Sequence, residues 1–247
     1  MPRRTVLAIH GSDRESFLQG LITNDVAKAH PDEDGICYAA LLTPQGKLIV
    51  DFFVIGRADH YLIDVASDAA PQLAQRLSMY KLRADVQITE TPLIVSRGTG
   101  PRPDGALADP RDTALGWRAY GEEDLSDATD FEALRIQHAI PALGAELNGE
   151  SYILEMGFER LNGVDFRKGC YVGQEVTARM HHKTTLKKGL RRVRVIGNAP
   201  SGSDILTGDK VAGTLHSVAN GEGLAYLRFD RIGNDMSAGD ARIEVID

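Results

Sequence analysis

Two apolar runs of the sequence, residues 36–42 and 47–55, are separated only by Thr-Pro-Gln-Gly at positions 43–46. A proline and a glycine in so short a connection are typical of a hairpin turn. The two runs are therefore predicted to be neighbouring antiparallel strands, and the N-terminal part of the chain is expected to contain an antiparallel sheet.

Two short helices and three further strands are predicted around this hairpin. Ser12 and Glu15 have the spacing of a capping box, which predicts a short amphipathic helix over residues 17–22. Asp68 is predicted to cap a second helix over residues 73–82. The further predicted strands are residues 5–10, 61–65 and 86–89. The first 90 residues then read β-α-β-β-β-α-β, which is typical of an α+β unit.

The sequence pattern changes twice in the rest of the chain. Residues 97–111 are rich in glycine and proline and are interpreted as a linker or exposed loop. A strand is predicted at 114–120, and a helix is predicted to begin at Ser126 or Asp127 and to stop near Pro141. Short strands with glycine-rich turns follow at 190–196, 210–217, 223–229 and 241–246. Their regular spacing predicts a small β-barrel.

The predicted fold class is α+β, with two α+β domains that have mainly antiparallel sheets and a small C-terminal β-barrel. We assign residues 1–90 to the first domain, 91–184 to the second and 185–247 to the barrel.

The net charge of −7 excludes a general nucleic-acid-coating role, because phosphate binding requires a basic surface. No apolar run approaches the length of a membrane span, and the apolar stretch after the basic N-terminus is too short for a secretory signal. We therefore expect a cytoplasmic protein without membrane contact. The sequence does not determine the oligomeric state, and a monomer is expected.

Cys170 lies in a sequence context that favours its thiolate. Arg167 and Lys168 precede it, Gly169 allows a sharp turn, and a helix predicted over 172–180 would add the positive potential of its amino end. A thiolate is both a nucleophile and a metal ligand. The alternative is that Cys170 is a small buried apolar residue, as free cysteines often are.

The sequence does not contain enough ligands for a self-contained cluster. Its two cysteines are Cys170 and the remote Cys37, whose role the sequence leaves open, and His181 and His182 do not complete a known zinc spacing. An iron–sulfur cluster requires about four thiolates. A cluster at Cys170 would therefore need ligands from a second protein or a small thiol.

Two other features have both a functional and a structural interpretation. The stretch 179–194 is basic and has no acidic residue, so it could attract an anionic ligand tail, an acidic partner or RNA, or it could be the solvent face of a barrel strand. Glu155 lies in the apolar segment 152–158. It is either a surface carboxylate or the acceptor of paired N–H donors from an amino-heterocycle.

Residues 168–175 read Lys-Gly-Cys-Tyr-Val-Gly-Gln-Glu, which resembles the signature of the YgfZ-type folate-binding proteins, relatives of the glycine-cleavage T-protein. Residues 17–26 resemble the N-terminal motif of that family, and 44–53 resemble its first hairpin. Shorter matches at 80–83, 135–141 and 213–225 extend the resemblance over most of the chain. The motif residues expected to be functional are Lys168, Gly169, Cys170, Tyr171, Gly173, Gln174 and Glu175.

This resemblance implies a ring-like arrangement of the three domains around a folate site. It also implies a tetrahydrofolate-binding accessory factor in iron–sulfur cluster assembly or repair. Cys170 would be a thiolate ligand or redox centre for a transient iron–sulfur cluster, shared with a partner. The implied partners are folate, iron–sulfur assembly or carrier proteins, and client iron–sulfur enzymes.

Four residues outside the motif are candidates for folate binding: Glu155, Asn24, Asp51 and Arg179. Glu155 lies in Leu-Glu-Met-Gly-Phe at 154–158, the context in which the wider family's glutamate contacts the pterin. Asp51 falls about one residue later than the T-protein's catalytic carboxylate. A one-residue shift in a strand reverses the face of the side chain, which argues against aminomethyl transfer.

Two enzymatic alternatives stay open beside the assembly factor, which we expect to be non-enzymatic. One is a folate-dependent one-carbon (aminomethyl) transferase with a carboxylate near Asp51. The other is a transferase or hydrolase with Cys170 as nucleophile and His181 or His182 as base.

Overall fold

The computed structural model describes residues 3–32 and 35–246 of the chain. The chain forms two compact units, and each consists of two separate stretches of sequence. The first unit contains Met1–Thr129 and Glu159–Val176, and the second contains Asp130–Phe158 and Thr177–Asp247. The contiguous domain boundaries expected from the sequence stay a prediction.

The first unit is built on a five-stranded antiparallel sheet with strand order β2-β3-β4-β1-β5. Its elements are β1 (Arg4–His10), α1 (Arg14–Gln19), β2 (Ile36–Leu42), β3 (Leu48–Gly56), β4 (Tyr61–Ala66), α2 (Ala70–Lys81) and β5 (Gln87–Thr91). This confirms the β-α-β-β-β-α-β order. Every residue of β2 and β4 is buried, which fits their nearly continuous apolar sequences.

Both predicted helix starts in this unit are wrong in detail. The Ser12 hydroxyl donates to Asp85 at 2.9 Å instead of capping α1, which begins at Arg14. Asp68 does not cap α2, because Ser67–Ala69 forms a 3-10 turn that leads directly into the helix. The capping pattern of Ser12 does not reveal its distant acceptor, and that of Asp68 does not reveal the 3-10 turn in which it lies.

The first unit also contains a three-stranded sheet, of which the sequence predicted one strand, at residues 114–120. Its strands are β6 (Ile94–Gly98), β7 (Leu107–Ala108) and β8 (Trp117–Gly121), in the order β6-β8-β7. The segment interpreted as a linker therefore contributes two strands. Gly98 does not form a turn; a β-carbon there would lie 2.4 Å from the Trp117 ring, so the glycine leaves room for the indole.

A buried ion-pair network lies in the first unit. Asp64, on β4, is fully buried and pairs with Arg118 and with Arg4, whose Nε is 2.6 Å from the carboxylate. Arg118 also pairs with Asp109 at 3.3 Å. Burial opposes ionisation of Asp64, but the two arginines outweigh it and lower its pKa to about 2.

The second unit contains a closed six-stranded barrel with strand order β10-β11-β12-β9-β14-β13. Its elements are α3 (Phe131–Gln137), α4 (Gln174–Lys183, whose first residues belong to the first unit), β9 (Lys188–Ile196), β10 (Asp204–Thr207), β11 (Lys210–Ala219), β12 (Glu222–Arg228), β13 (Met236–Ala238) and β14 (Ala241–Val245). Val193, Leu215, Leu227 and Ile243 are among the buried residues that fill the barrel. The predicted α+β class with a C-terminal barrel is confirmed.

Helix α3 begins later than expected. Its N-cap is Asp130, whose carboxylate accepts from the backbone of Glu132 and Ala133 at 3.1 Å. Asp127, which was expected near the start of the helix, instead accepts from the backbone N–H of Thr99 and Gly100. Among the described residues, no helix combines the length and apolar character required to cross a membrane.

The Asp64 network should make the stability of the first unit depend on pH. Because the folded pKa is below the unfolded one, the stabilisation is present above pH 4 and is lost as the pH falls towards 2. We expect a loss of about 2 kcal/mol from this group. The measurement is urea unfolding at several pH values, followed by fluorescence of Trp117, the only tryptophan.

Asp64→Asn should be less stable at pH 7 and should lack this part of the acid dependence. The matched control is Asp209→Asn, which changes an exposed aspartate in a turn and should behave as wild type. Equal acid dependence in wild type and Asp64→Asn would contradict the assignment.

Candidate functional site

The Lys168 ammonium connects the cysteine motif to the N-terminal motif within the first unit. Its Nζ donates to three backbone carbonyls, at 2.7 Å from Gln19, 2.7 Å from Ile22 and 2.9 Å from Asn24. It also lies 5.1 Å from the centre of the Tyr171 ring. Two segments more than 140 residues apart in sequence are therefore held by one side chain.

Burial lowers the pKa of Lys168 to about 8, against the opposing charges of Asp25 and Asp165. The three carbonyls use all three donors of the ammonium form, so hydrogen bonding favours the protonated state. A half-buried lysine with this set of acceptors is a structural cation, and it fixes the loop that precedes Cys170.

Asp165 fixes the same loop from its other end. Its carboxylate accepts from the backbone N–H of Arg167 at 2.7 Å and of Lys168 at 3.2 Å. Lys28 pairs with the second oxygen at 2.8 Å. Burial raises the pKa of Asp165, but the Lys28 and backbone interactions outweigh it and the net shift is downward.

Thr23 and Asn24 complete the connection. The Thr23 hydroxyl donates to the Gly163 carbonyl at 2.7 Å and accepts from the Ala40 N–H at 2.9 Å. The Asn24 amide donates to the carbonyls of Tyr38 and Asn162, and its oxygen accepts from Lys28 at 3.0 Å. Asn24 is thus bonded on both ends of its amide. It also lines a cavity of about 540 Å³.

Two glycines bring the first hairpin against the start of α4. Gly173 has φ +83°, and a β-carbon there would lie 2.5 Å from the Thr43 carbonyl oxygen. Gly46, in the hairpin turn, has φ +76°, and its β-carbon would lie 2.8 Å from the Val176 side chain. The Gln174 side chain accepts from the Tyr171 N–H at 3.1 Å, which orders the residues just before the helix.

These contacts present Cys170 to solvent on an ordered loop. Cys170 and the preceding Gly169 are both exposed, and no atom of the described residues lies within 4 Å of a β-carbon built at Gly169. Cys37, on β2, is buried, and burial raises the pKa of its thiol to about 12. The two cysteines of the chain therefore differ in access, and Cys170 is the one that can meet a reagent or a partner.

Glu155 lies in the second unit and is almost completely buried. Tyr226 donates its hydroxyl to Oε2 of Glu155 at 2.5 Å, and the Lys188 ammonium lies 4.0 Å from the same oxygen. Burial and this hydrogen bond raise the pKa of Tyr226 well above its usual range. The Glu155 backbone is fixed as well, because its carbonyl accepts from the Leu190 N–H at 2.8 Å.

The other oxygen of Glu155, Oε1, has no hydrogen bond with any residue in the described part of the chain. A buried carboxylate with one oxygen committed and one open can accept N–H donors from a ligand.

Asp51 and Arg179 have different surroundings. The Asp51 carboxylate is buried in the first unit and accepts from the Tyr38 hydroxyl at 2.9 Å. Burial, then the neighbouring Asp51 charge, raises the pKa of Tyr38. Arg179 is exposed on α4 in the second unit. The folate roles of Asn24, Asp51, Glu155 and Arg179 stay predictions.

The basic stretch 179–194 ends in barrel strand β9, where several of its arginines have local partners. Arg191 lies over the Phe229 ring at 4.1 Å, Arg192 donates to the Gln137 carbonyl at 2.5 Å, and Arg194 pairs with Glu244 at 3.5 Å. These contacts support the structural interpretation for the strand part of the stretch. His181 and His182 lie together on α4, with their Nδ1 atoms 3.3 Å apart.

The sequence is similar to curated iron–sulfur assembly factors. It is 30% identical to the Mus musculus protein named iron-sulfur cluster assembly factor IBA57, mitochondrial, over 93% of this chain and 76% of that protein. The chain belongs to the IBA57 family. The Homo sapiens protein of the same name is 28% identical, with the same coverage.

Two further comparisons concern the fold. Residues 187–247 match the CAF17 C-terminal beta-barrel domain, which corresponds to the barrel strands β9–β14. The crystal structure of glycine cleavage system aminomethyltransferase T from Bartonella henselae aligns with a TM-score of 0.76, over 98% of this chain and 82% of that one. At 10% identity this likeness shows the fold alone. It confirms the expected aminomethyltransferase-like fold.

The prediction of a cytoplasmic protein is wrong. The IBA57 relatives are named mitochondrial, which points to the mitochondrion. The lengths of the apolar runs do not distinguish the cytoplasm from another reducing compartment.

Several residues around Glu155 and around Cys170 were not identified from the sequence. Tyr226 and Lys188 reach Glu155 from strands that are 33 or more residues away in sequence, so no local pattern could indicate them. Asp165 had a local signal, because an aspartate followed by residues in a turn often accepts from the backbone two residues later.

The two motif glycines give a matched test of the ordered loop. Gly173→Ala would place a side chain at a positive φ and against the Thr43 carbonyl, so we expect a loss of about 2 kcal/mol or more. Gly169→Ala meets no atom within 4 Å and should change stability by less than about 0.5 kcal/mol. The measurement is urea unfolding followed by Trp117 fluorescence. Equal stability of the two variants would contradict the packing role of Gly173.

Proposed function

We propose that this chain acts in iron–sulfur cluster assembly, with Cys170 as a thiolate ligand or redox centre that it shares with a partner. The observation that carries the proposal is the exposed Cys170 on a loop held by Lys168, Asp165 and Gly173. Membership of the IBA57 family supports the general role, because the relatives are named assembly factors.

The partner requirement follows from the number of thiols. An iron–sulfur cluster requires about four thiolates, and the chain has two cysteines, one of which is buried with a raised pKa. Cys170 therefore supplies one ligand. The proposed partners, an assembly or carrier protein and a client enzyme, supply the others. The step is a ligand exchange without net oxidation or reduction: the Cys170 sulfur bonds to a cluster iron as its thiol loses a proton, and the displaced thiolate takes up a proton and leaves as a thiol.

The direct test uses the purified full chain under anaerobic conditions with ferrous iron, sulfide and glutathione, which stands in for the partner's thiols. We expect the wild type to retain a cluster through gel filtration, detected by visible absorption and iron content. Cys170→Ser should reduce the retained cluster by about tenfold or more. Cys37→Ala is the control, and it should behave as wild type because Cys37 is buried.

A cellular arm tests the function. In cells that lack their own relative, wild type and Cys37→Ala should restore iron–sulfur enzyme activity, and Cys170→Ser should not. Normal activity with Cys170→Ser would contradict the proposal, provided that the three proteins are equally abundant.

We also propose that the chain binds tetrahydrofolate, as the YgfZ-type resemblance implies, and that Glu155 receives the pterin. When bound, this cofactor supplies a reduced pterin ring with neighbouring N–H donors. The buried Glu155 carboxylate fits such a group, because Tyr226 and Lys188 hold one oxygen and Oε1 is open. The N–H pair would donate to this carboxylate as charge-assisted hydrogen bonds.

The other three folate candidates have different proposed roles. Asn24 is bonded to Tyr38, Asn162 and Lys28, so its contribution would be to shape the cavity that it lines. Asp51 is bonded to Tyr38, which favours a positioning role over aminomethyl transfer. Arg179 is exposed and would attract an anionic folate tail by its charge.

Calorimetric titration with tetrahydrofolate tests the role of Glu155. Glu155→Ala should weaken binding by about tenfold or more, because it removes a buried charged acceptor. Asp209→Ala, which removes an exposed acid from the same unit, should bind as wild type. Cys170→Ser should also bind as wild type. Unchanged affinity in Glu155→Ala would contradict the Glu155 assignment, and no binding in the wild type would remove folate from the proposal.

A further inference from the structure

Two histidines lie opposite each other at one end of the first unit's sheet. β1 and β4 are antiparallel, and Ile9 pairs with Tyr61, so the next opposed positions are His10 and His60. The two rings are stacked, with their centres 4.7 Å apart and an interplanar angle of 29°. Directly opposed residues of a ladder have their β-carbons about 5 Å apart, so the backbone, rather than chance side-chain conformations, brings the imidazoles together.

A carboxylate completes this group. Asp59 precedes His60 in the turn between β3 and β4, and its Oδ1 lies 2.7 Å from Nδ1 of His60. The turn is closed by the Arg57 N–H, which donates to the His60 carbonyl at 2.9 Å.

We propose that His10, Asp59 and His60 form a binding site for a first-row divalent metal ion of the zinc type. Each residue offers a ligand atom, and these atoms all lie within 4.8 Å of one another. Imidazole and carboxylate together suit zinc, cobalt and ferrous ions. The metal ion lies between His60 Nδ1 and Asp59 Oδ1, and a ring nitrogen of His10 is the third ligand.

The movement required is small. Nitrogen and oxygen ligands lie about 2.0 to 2.2 Å from zinc, so two ligands of one ion are about 3 to 4 Å apart. The His60–Asp59 pair is already close to this range. His10 must approach by about 1 Å and rotate out of the stack, because the lone pair of an imidazole nitrogen lies in the plane of the ring. The Asp59 side chain is 80% exposed and that of His60 is 23% exposed, so the ion can enter from solvent.

Three protein ligands leave at least one coordination position open. Structural zinc sites have four protein ligands, whereas sites with three retain a water or accept a ligand from another molecule. The proposed site is therefore an exchangeable one rather than part of the core. It uses none of the motif residues 168–175, so it is independent of the proposed function of Cys170.

The test is titration of the metal-free full chain with Zn²⁺ by calorimetry, in a Cys170→Ser background that removes the exposed thiol. We expect one Zn²⁺ to bind. His10→Ala and His60→Ala should each weaken binding by about tenfold or more, and Asp59→Asn should weaken it as well. Co²⁺ titration should give visible d–d bands typical of nitrogen and oxygen ligands, and His10→Ala should abolish them. Anaerobic Fe²⁺ as competitor shows whether ferrous ion uses the same site.

The chain contains two matched controls. His30 and Asp32 form an exposed histidine–aspartate pair at 3.4 Å, so His30→Ala removes a comparable pair with a single histidine. The double variant His181→Ala, His182→Ala removes the neighbouring histidines of α4. Both controls should bind Zn²⁺ as the parent does. Equal binding by the parent and by His10→Ala, or loss of binding in the α4 variant, would overturn the proposal. Circular dichroism of each variant separates loss of a ligand from loss of the fold.

Discussion

The three hydrogen bonds of the Lys168 ammonium determine the geometry of the cysteine motif. A half-buried cation is costly unless its donors are satisfied, and here Gln19, Ile22 and Asn24 satisfy all three with backbone carbonyls. The positions of backbone carbonyls are set by the backbone conformation and not by side-chain rotamers. The lysine therefore requires residues 19–24 to follow one particular path, and it couples the N-terminal motif to the cysteine motif.

A cysteine two residues after such an anchor can be exposed without being disordered. An exposed thiol on a free loop would lose conformational entropy each time it met a partner. The contacts of Asp165 and Gly173 on either side of Cys170 have already restricted the backbone. Cys37 shows the opposite case, because burial on β2 removes both access and ionisation. The two residues have the same side chain, and their surroundings give them different access to solvent.

The parts of the fold that were predicted correctly depend on local patterns. The hairpin at 43–46, the order of the first 90 residues and the barrel all follow from apolar periodicity and turn residues. Two of the errors have the same physical origin, which is competition from a distant partner. Ser12 bonds to Asp85, and Gly98 makes room for Trp117. The local sequences around Ser12 and Gly98 do not contain Asp85 or Trp117, the residues that determine their conformations.

The candidate functional residues also divide into those with a local sequence signal and those that depend on distant partners. Cys170 and Glu155 were identified because their own neighbours in sequence are unusual, a basic pair for one and an apolar segment for the other. Tyr226 was not identified, because it lies on β12 and reaches Glu155 only once β12 has paired with β9 in the barrel. His10 and His60 also required the sheet, since fifty residues separate them and only the β1–β4 register makes them opposite. A residue with unusual neighbours in sequence can be identified from the sequence. A group of residues that strand pairing brings together can be identified only from the fold.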